Sequence, residues 1–315
     1  MKKITIKVNL NHNSYPIIIS KNLLNNAGLE IKKVIPKAAK FLLITDKNIP
    51  KSYIRSILSS LKSKKKYLFT LNAGEKSKNM NFTNKIIEKL FKYNFNRDDC
   101  LIALGGGVIG DLSGFASSIF KRGINLVQIP TTLLAQVDAS VGGKLGIDFH
   151  GFKNHIGVFR IPNTVLIDPI FTKTLPFNEL RSGFAEIVKH CLIADKAKWD
   201  VIKRKDFEAQ DFADLISHSV EIKKAVVAQD PTEKGLRKIL NFGHTLGHAI
   251  ETFYLGKPKL HLLHGEAIAA GMICEAFVGF RKGLITQKEL AEIFRSESKS
   301  LFGGGFITVT TVRIS

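Results

Sequence analysis

The chain has 315 residues, of which 44% are hydrophobic and 23% charged, a balance that can support the apolar cores of two folded domains. Its formal net charge is +20, but the lysines are spread along the chain without an aromatic-interleaved basic stripe, so we expect no nucleic-acid partner. Three scattered cysteines and the lack of an apolar run near ~18 residues exclude a disulfide framework and a membrane span, so we expect a soluble, cytoplasmic protein.

Predicted strands and helices alternate through the first half of the chain. The predicted strands are Ile4–Leu10, Tyr15–Ser20, Lys40–Thr45, Tyr67–Leu71, Cys100–Leu104, Leu126–Ile129 and Thr164–Ile167. The predicted helices between them are Pro50–Lys62, Met80–Tyr93 and Val108–Ile119. Such alternation is typical of a parallel sheet with right-handed crossovers, so we predict an α/β domain over residues 1–168.

After Asp168 the pattern becomes helical. The predicted helices of this part are Phe177–Ala194, Ala213–Gln229, Lys234–Phe253, Glu266–Lys282 and Gln287–Ser296. We therefore predict a second, helical domain over residues 169–300. Residues 301–315 are glycine-rich and then β-prone, so we interpret them as an atypical tail, either a genuine terminal strand or the product of a truncation.

A glycine-rich turn joins a predicted strand to a predicted helix. The segment Gly105–Asp111 satisfies G-x-G-x-x-G, in which the glycines let the backbone and the helix N-terminus approach a pyrophosphate. The acid expected about 20 residues later, which would bind a ribose, is missing, and Glu75 is an alternative candidate. The other interpretation is that these glycines serve only close strand–helix packing.

Three polar segments near the turn could also contact a ligand. Thr131 and Thr132 follow a strand, where their hydroxyls could bond a cofactor or cap the next helix. Ser140–Lys144 and Phe152–Asn154 form a predicted polar loop whose two lysines suit a phosphate or a carboxylate. Solvated loop lysines are the alternative.

Histidines in the helical half indicate a metal site. His244 and His248 are four residues apart in a predicted helix, so they project from one face, and His264 follows. Glu186 lies mid-helix, either on a surface or pointing inward, where a metal could neutralise it. Imidazoles with a carboxylate favour a divalent metal, most simply zinc. The pattern is not H-E-x-x-H, which argues against a zinc protease.

Seven segments carry a resemblance to a known family. They are Gly105–Asp111, Lys121–Gly123, Pro130–Lys144, Lys153-Asn154, Ser182–Lys189, Leu240–Glu251 and Leu263–Glu266. Together they resemble the 3-dehydroquinate synthases over most of the chain. The resemblance implies a Rossmann-like, NAD-binding α/β domain, an all-helical metal-binding domain, a homodimer, bound NAD and one divalent metal, zinc or cobalt.

The resemblance also implies roles for individual residues. The metal ligands would be Glu186, His244 and His264, which moves His248 to the substrate side. The NAD-binding residues would be Glu75, Lys78, Gly106, Gly107, Val108, Gly110, Asp111, Thr131, Thr132, Lys144, Lys153, Phe171 and Thr174. The catalytic and substrate-binding residues would be Arg122, Asp138, Lys144, Lys153, Asn154, Lys189, Lys223, Arg237, Asn241 and His248.

The implied activity is that of a lyase of the shikimate pathway, which leads to aromatic amino acids. It converts 3-deoxy-D-arabino-heptulosonate 7-phosphate into 3-dehydroquinate and phosphate, with transient reduction of NAD. The alternatives are another sugar-phosphate cyclase, a metal-dependent polyol dehydrogenase, or a basic nucleic-acid-associated protein. Because Gly303–Ser315 departs from the family pattern, a truncated inactive homologue is a further alternative.

Overall fold

The computed structural model describes residues 3–10, 13–255 and 262–302. The part of the predicted atypical tail from residue 303 onward lies outside the described residues. Among the helices of the described ranges, none is both long enough and apolar enough to cross a membrane.

Nine strands and ten α-helices are described, joined by short 3-10 and π-helical turns. The strands are Ile4–Leu10 (β1), Asn13–Ile19 (β2), Lys40–Asp46 (β3), Lys65–Leu71 (β4), Cys100–Gly105 (β5), Asn125–Pro130 (β6), Lys144–Phe149 (β7), Phe152–Phe159 (β8) and Thr164–Ile167 (β9). The helices are Ala27–Val34 (α1), Lys51–Ser60 (α2), Met80–Lys92 (α3), Gly107–Ile119 (α4), Phe177–Ala194 (α5), Lys196–Ile202 (α6), Phe212–Gln229 (α7), His244–Leu255 (α8), His264–Arg281 (α9) and Gln287–Phe302 (α10).

Residue contacts divide the chain into two compact units. The first comprises Met1–Leu175 with Asp211–Pro231, and the second comprises Pro176–Gln210 with Thr232–Ser315. This division differs from the single boundary predicted at residue 168, because α7 returns to the first unit.

The first unit is built on a seven-stranded sheet in the order β1-β2-β9-β6-β5-β3-β4. Only β1 and β2 pair antiparallel, and the other pairs are parallel. Alternate side chains of the central strands enter two cores: Leu43 and Ile102 lie in one, Leu42 and Leu101 in the other. A parallel sheet covered on both faces explains why these strands are continuous apolar runs, and the predicted α/β architecture is confirmed.

Strands β7 and β8 form a separate antiparallel pair. The prediction of a polar loop was wrong for Lys144, which begins β7, and for Phe152–Asn154, which lie in β8, whereas Ser140–Gly143 lie outside any strand. The two strands are joined by a turn, where His150 and Gly151 have positive φ angles of 47° and 84°. Leu145 and Ile147, two residues apart, lie on the inner face of β7 and are buried in the core. This alternation of buried residues is typical of a strand, but the glycines and lysines nearby favoured the prediction of a loop.

Helix α7 belongs to the first unit because of both apolar and polar contacts. Its buried side chains include Leu215, Ile216 and Val220, and the helix packs near β1 and near the turn at 135–139. Lys223 adds a polar contact, with its Nζ atom 2.6 Å from Oδ1 of Asp138.

The second unit is helical, and one predicted helix is divided in two. The sequence predicted one helix over Lys234–Phe253, whereas a 3-10 turn over Leu236–Asn241 precedes α8. The break falls at Gly243, whose φ of +80° is rarely adopted by other residues. A Cβ atom on Gly243 would also meet the Ile268 carbonyl oxygen at 2.8 Å, so this glycine permits close packing of α8 and α9.

Candidate functional site

Three imidazoles and one carboxylate gather in the second unit. The ring nitrogens of His244, His248 and His264 that could bind a metal all lie within 4.8 Å of one another. Glu186, from α5, is fully buried, and its Oε1 lies 3.8 Å from Nε2 of His244. Nitrogen ligands with one carboxylate oxygen form a donor set that suits a divalent metal ion, so the residues present fit such an ion.

Glycines bring the helices that carry these groups close together. Gly265 follows His264, and a Cβ atom on it would overlap the Ser182 carbonyl of α5. Gly247 precedes His248, and a Cβ atom there would lie 2.9 Å from the Ala267 carbonyl oxygen of α9. The glycines beside the histidines therefore allow α5, α8 and α9 to approach closely enough to assemble the cluster.

Glu186 points inward, which resolves the two interpretations of that residue. It forms a buried ion pair with Lys189 one turn later, and both side chains are at most 1% exposed. A buried carboxylate is costly unless a cation and hydrogen bonds compensate it. Lys189 supplies one cation here, and the other carboxylate oxygen faces His244.

A second polar group in this unit centres on Glu233, which the sequence analysis missed. Its Oε1 accepts a hydrogen bond from Nδ2 of Asn241 at 2.7 Å, and its Oε2 lies 3.9 Å from Nε of the buried Arg237. The i, i+4 spacing of Glu233 and Arg237 was the available signal. Glu233 thus orients two residues that the resemblance assigns to the substrate.

The glycine turn of the first unit lines a pocket, together with the end of β6 and the turn at 135–139. Gly106, Gly107, Gly110, Asp111 and Ser140 are among its lining residues. A Cβ atom on Gly106 or Gly107 would contact Thr132 at 3.0 Å or Ala139 at 3.6 Å, so these glycines allow the turn to pack closely against both residues beside the N-terminus of α4. The turn therefore has the location of a phosphate cradle, at the N-terminus of a helix that follows a strand.

Lys78 is the centre of a polar cluster beside this turn. Its Nζ lies 2.6 Å from Oδ2 of Asp111, 2.5 Å from Oδ1 of Asn154 and 3.8 Å from Oε1 of Glu75. Burial lowers the pKa of Lys78, but the carboxylates of Asp111 and Glu75 outweigh it and raise the pKa above its usual value. The structure thus brings together four residues that the sequence analysis named separately.

Asp148 joins the same cluster and was not predicted. Its Oδ1 accepts a hydrogen bond from the backbone N–H of Asn154 at 2.9 Å. Burial raises the pKa of Glu75, and the adjacent Asp148 carboxyl, with which it shares a hydrogen bond, raises it further. Asp148 was missed because it lies in β7, between the two segments of the predicted loop.

Asp46 is a third residue missed from the sequence. It ends β3 directly after Thr45, which is paired with Leu104 of β5, so it lies next to the strand that enters the glycine turn. Its carboxylate accepts a hydrogen bond from the Asn48 backbone at 2.9 Å, and burial raises its pKa. Ligands of open α/β sheets bind at the carboxyl ends of strands, which is the signal that could have found Asp46.

The other predicted residues of the first unit occupy varied positions. Thr132 accepts a hydrogen bond from the Ala135 backbone at 3.2 Å, so the capping interpretation of this threonine holds. Phe171 is 2% exposed and packs in the core, which leaves its backbone for any contact with a ligand. Exposed positions are occupied by Arg122, Lys144 and Thr174, and Arg122 has a left-handed φ of 61°.

Two family models match adjoining parts of this chain. The 3-dehydroquinate synthase N-terminal model matches residues 68–182, and the C-terminal model matches residues 183–301. The 3-dehydroquinate synthase of Streptococcus sanguinis (strain SK36) is 41% identical over 287 residues, covering 89% of this chain and 79% of the relative. The chain belongs to the 3-dehydroquinate synthase family.

Two solved structures share the fold of this family member. One is 2-deoxy-scyllo-inosose synthase complexed with carbaglucose-6-phosphate, NAD+ and Co2+, with a TM-score of 0.83 and 25% identity, covering 94% of this chain and 82% of that chain. The other is 2-epi-5-epi-valiolone synthase from Streptomyces hygroscopicus subsp. jinggangensis 5008 with NAD+ and Zn2+ bound, with a TM-score of 0.82 and 27% identity, covering 93% and 82%. The predicted combination of a Rossmann-like domain with a helical part is therefore confirmed.

Proposed function

We propose that this chain is a 3-dehydroquinate synthase, a lyase that converts 3-deoxy-D-arabino-heptulosonate 7-phosphate into 3-dehydroquinate and phosphate. The observation that carries the proposal is the gathering of Glu186, His244 and His264 in one unit of a chain that is 41% identical to a protein of that name.

Glu186, His244 and His264 would hold one divalent metal ion, zinc or cobalt. Two imidazole nitrogens and one carboxylate oxygen leave a position open for substrate, as catalytic sites require. The related cyclases described above contain Co2+ in one case and Zn2+ in the other. When bound, the ion supplies Lewis-acid polarisation of a substrate hydroxyl, and NAD supplies reversible hydride transfer. The exposed ring of His248 would then contact substrate.

NAD would bind at the glycine turn and the cluster around Lys78. Backbone N–H groups of Gly106 and Gly107 at the start of α4 would face the pyrophosphate. Asp46, at the end of the neighbouring strand, would bind a ribose hydroxyl, with Glu75 of the cluster around Lys78 as a second candidate acid. The remaining proposed NAD contacts are Lys78, Val108, Gly110, Asp111, Thr131, Thr132, Lys144, Lys153, Phe171 and Thr174.

The substrate would be held by cations, three of which are buried. Lys189, Lys223 and Arg237 are 1%, 6% and 2% exposed, and each has a carboxylate partner. Such pre-paired cations are fixed in position and can donate charge-assisted hydrogen bonds to a phosphate or carboxylate. The remaining proposed substrate contacts are Arg122, Asp138, Lys144, Lys153, Asn154, Asn241 and His248.

The active protein would be a homodimer, as the family resemblance implies. The β7–β8 hairpin offers a surface that suits association, because Phe149, Phe152 and Phe159 are 44%, 61% and 64% exposed. Sedimentation of the purified chain checks this, with a dimer expected and a monomer at assay concentrations contradicting it.

Phosphate release from the heptulosonate phosphate tests the activity. With NAD and zinc or cobalt, we expect one phosphate for each carbocycle formed and no net NADH. His244→Ala should abolish the release, whereas Lys64→Ala, in the exposed connection between α2 and β4, should retain it. No phosphate from the metal-loaded, NAD-supplied chain would refute the proposal. Net NADH from a simple alcohol would indicate a polyol dehydrogenase, and phosphate release from a different sugar phosphate would indicate another cyclase.

A further inference from the structure

The imidazole of His264 faces a carboxylate on the helix that carries the other two histidines. Its Nδ1 lies 3.4 Å from Oε2 of Glu251, and Glu251 is only 6% exposed. His244, His248 and Glu251 occupy positions i, i+4 and i+7 of α8, so they share one face of the helix. Helix α8 therefore presents two imidazoles and, one turn further along, the acceptor for a third imidazole on α9.

We propose that Glu251 positions His264 as a metal ligand by accepting a hydrogen bond from its Nδ1–H. A neutral imidazole carries one proton, and a carboxylate can only accept, so this contact places the proton on Nδ1. The Nε2 lone pair of His264 is then directed to a metal ion, as ligating histidines commonly require. This inference rests on the proposed metal site and adds to it a residue outside the ligand set.

His244 shows the same arrangement with a different acceptor. Its Nδ1 lies 3.4 Å from the carbonyl oxygen of Phe242, while its Nε2 faces Glu186. The carbonyl group of Phe242 belongs to the backbone turn that precedes α8, so no side-chain substitution removes it. The acceptor for His264, in contrast, is the side chain of Glu251. The tautomer and orientation of His264 can therefore be altered by a single substitution.

The metal affinity of Glu251 variants tests the proposal without reference to activity. Chelator competition with zinc should give a dissociation constant about 10- to 100-fold higher for Glu251→Ala than for the original chain. Glu251→Gln, whose amide oxygen still accepts the Nδ1–H bond without the charge, should recover part of the loss. The visible absorption of bound Co2+ should change in Glu251→Ala, since the coordination of His264 changes.

Glu275→Ala is the matched control for a purely structural effect. Glu275 also holds α8, but by accepting a hydrogen bond from the Gly243 backbone at 2.8 Å, with no imidazole involved. This variant should lower the melting temperature while keeping the Co2+ spectrum. Wild-type affinity and spectrum in Glu251→Ala would overturn the role of Glu251. So would equal losses of affinity in the Glu251 and Glu275 variants. If the original chain bound neither zinc nor cobalt, the proposed function would itself be refuted.

Discussion

Glu186 Oε1 lies 3.8 Å from Nε2 of His244, while Glu186 Oε2 forms an ion pair with Lys189. One buried carboxylate thus faces an imidazole with one oxygen and an ammonium group with the other. If the imidazole side holds a metal ion, as we propose, the same carboxylate connects that ion to a lysine that would contact substrate. Any change at Glu186 should affect both metal binding and the stability of the fold.

Replacing Glu186 with alanine should destabilise the metal-free protein. The Lys189 ammonium would remain in a site that is 1% exposed, and an uncompensated buried charge costs about 3–5 kcal/mol. Urea denaturation would measure the loss. Combining Glu186→Leu with Lys189→Met should restore most of the stability, because apolar side chains replace both charges. A single alanine variant as stable as the original chain would show that the ion pair does not hold in solution.

Replacing Gly265 with alanine should disrupt the metal site from a position that bears no ligand. The new methyl group would overlap the Ser182 carbonyl on α5 and displace the start of α9, which carries His264. We expect zinc affinity to fall at least about tenfold, with lower stability. Gly279→Ala in the same helix is the control, since its Cβ would have no neighbour closer than 3.9 Å. Equal zinc affinity in both variants would argue against the packing role of Gly265.

Replacing Lys78 with glutamine should weaken NAD binding and the fold together. The substitution removes charge-assisted contacts with Asp111 and Asn154, each worth about 1.5–3 kcal/mol when intact. NAD titration by calorimetry measures the first effect and urea denaturation the second. Lys76→Gln changes an exposed lysine two residues earlier and should leave both unaffected. Unchanged NAD affinity in the Lys78 variant would remove this cluster from the cofactor site.

Replacing Asp46 with asparagine should stabilise the fold at neutral pH while weakening NAD binding. Burial raises the pKa of Asp46, so between the unfolded and the folded pKa the folded chain retains a proton that the unfolded chain has released. The unfolding free energy of the original chain therefore decreases as pH rises through the raised pKa, and it is highest below the unfolded value. Asparagine cannot ionise, and its side-chain oxygen can keep the bond from Asn48.

Urea denaturation from about pH 4 to about pH 7 would test this expectation for Asp46. The asparagine variant should show a smaller loss of stability over that range. If the unfolding free energies of the two proteins changed equally with pH, the result would contradict the raised pKa of Asp46. Separately, an unchanged affinity for NAD would contradict the proposed contact with ribose.

Much of the fold was predictable because its strands and helices have simple patterns. Strand β9 and helix α5 were predicted with the observed bounds, since buried parallel strands are short apolar runs and long helices repeat every 3.6 residues. The proximity of His244 and His248 was also predictable, because they have the i, i+4 spacing of one helix face.

The remaining features depend on contacts between distant parts of the chain. The break at Gly243 follows from the approach of Met272 and Ile268 on α9, which local helix propensity does not encode. Asp46 gains its significance from the pairing of β3 with β5, and Asp148 gains its significance from contacts with Glu75 and Lys78, which are distant in sequence. The residues next to Asp46 and Asp148 in the sequence form no recognisable binding motif. The sequence therefore predicted only Glu75 as a ribose-binding acid.

The return of α7 to the first unit has a practical consequence. Because the chain leaves that unit at Leu175 and rejoins it over Asp211–Pro231, no single cut yields two intact halves. A fragment ending near residue 175 would lack a packed helix and the Lys223 partner of Asp138. An exchange of the first unit with that of another enzyme would therefore have to transfer both of its segments, Met1–Leu175 and Asp211–Pro231. A fusion made at a single junction would separate them.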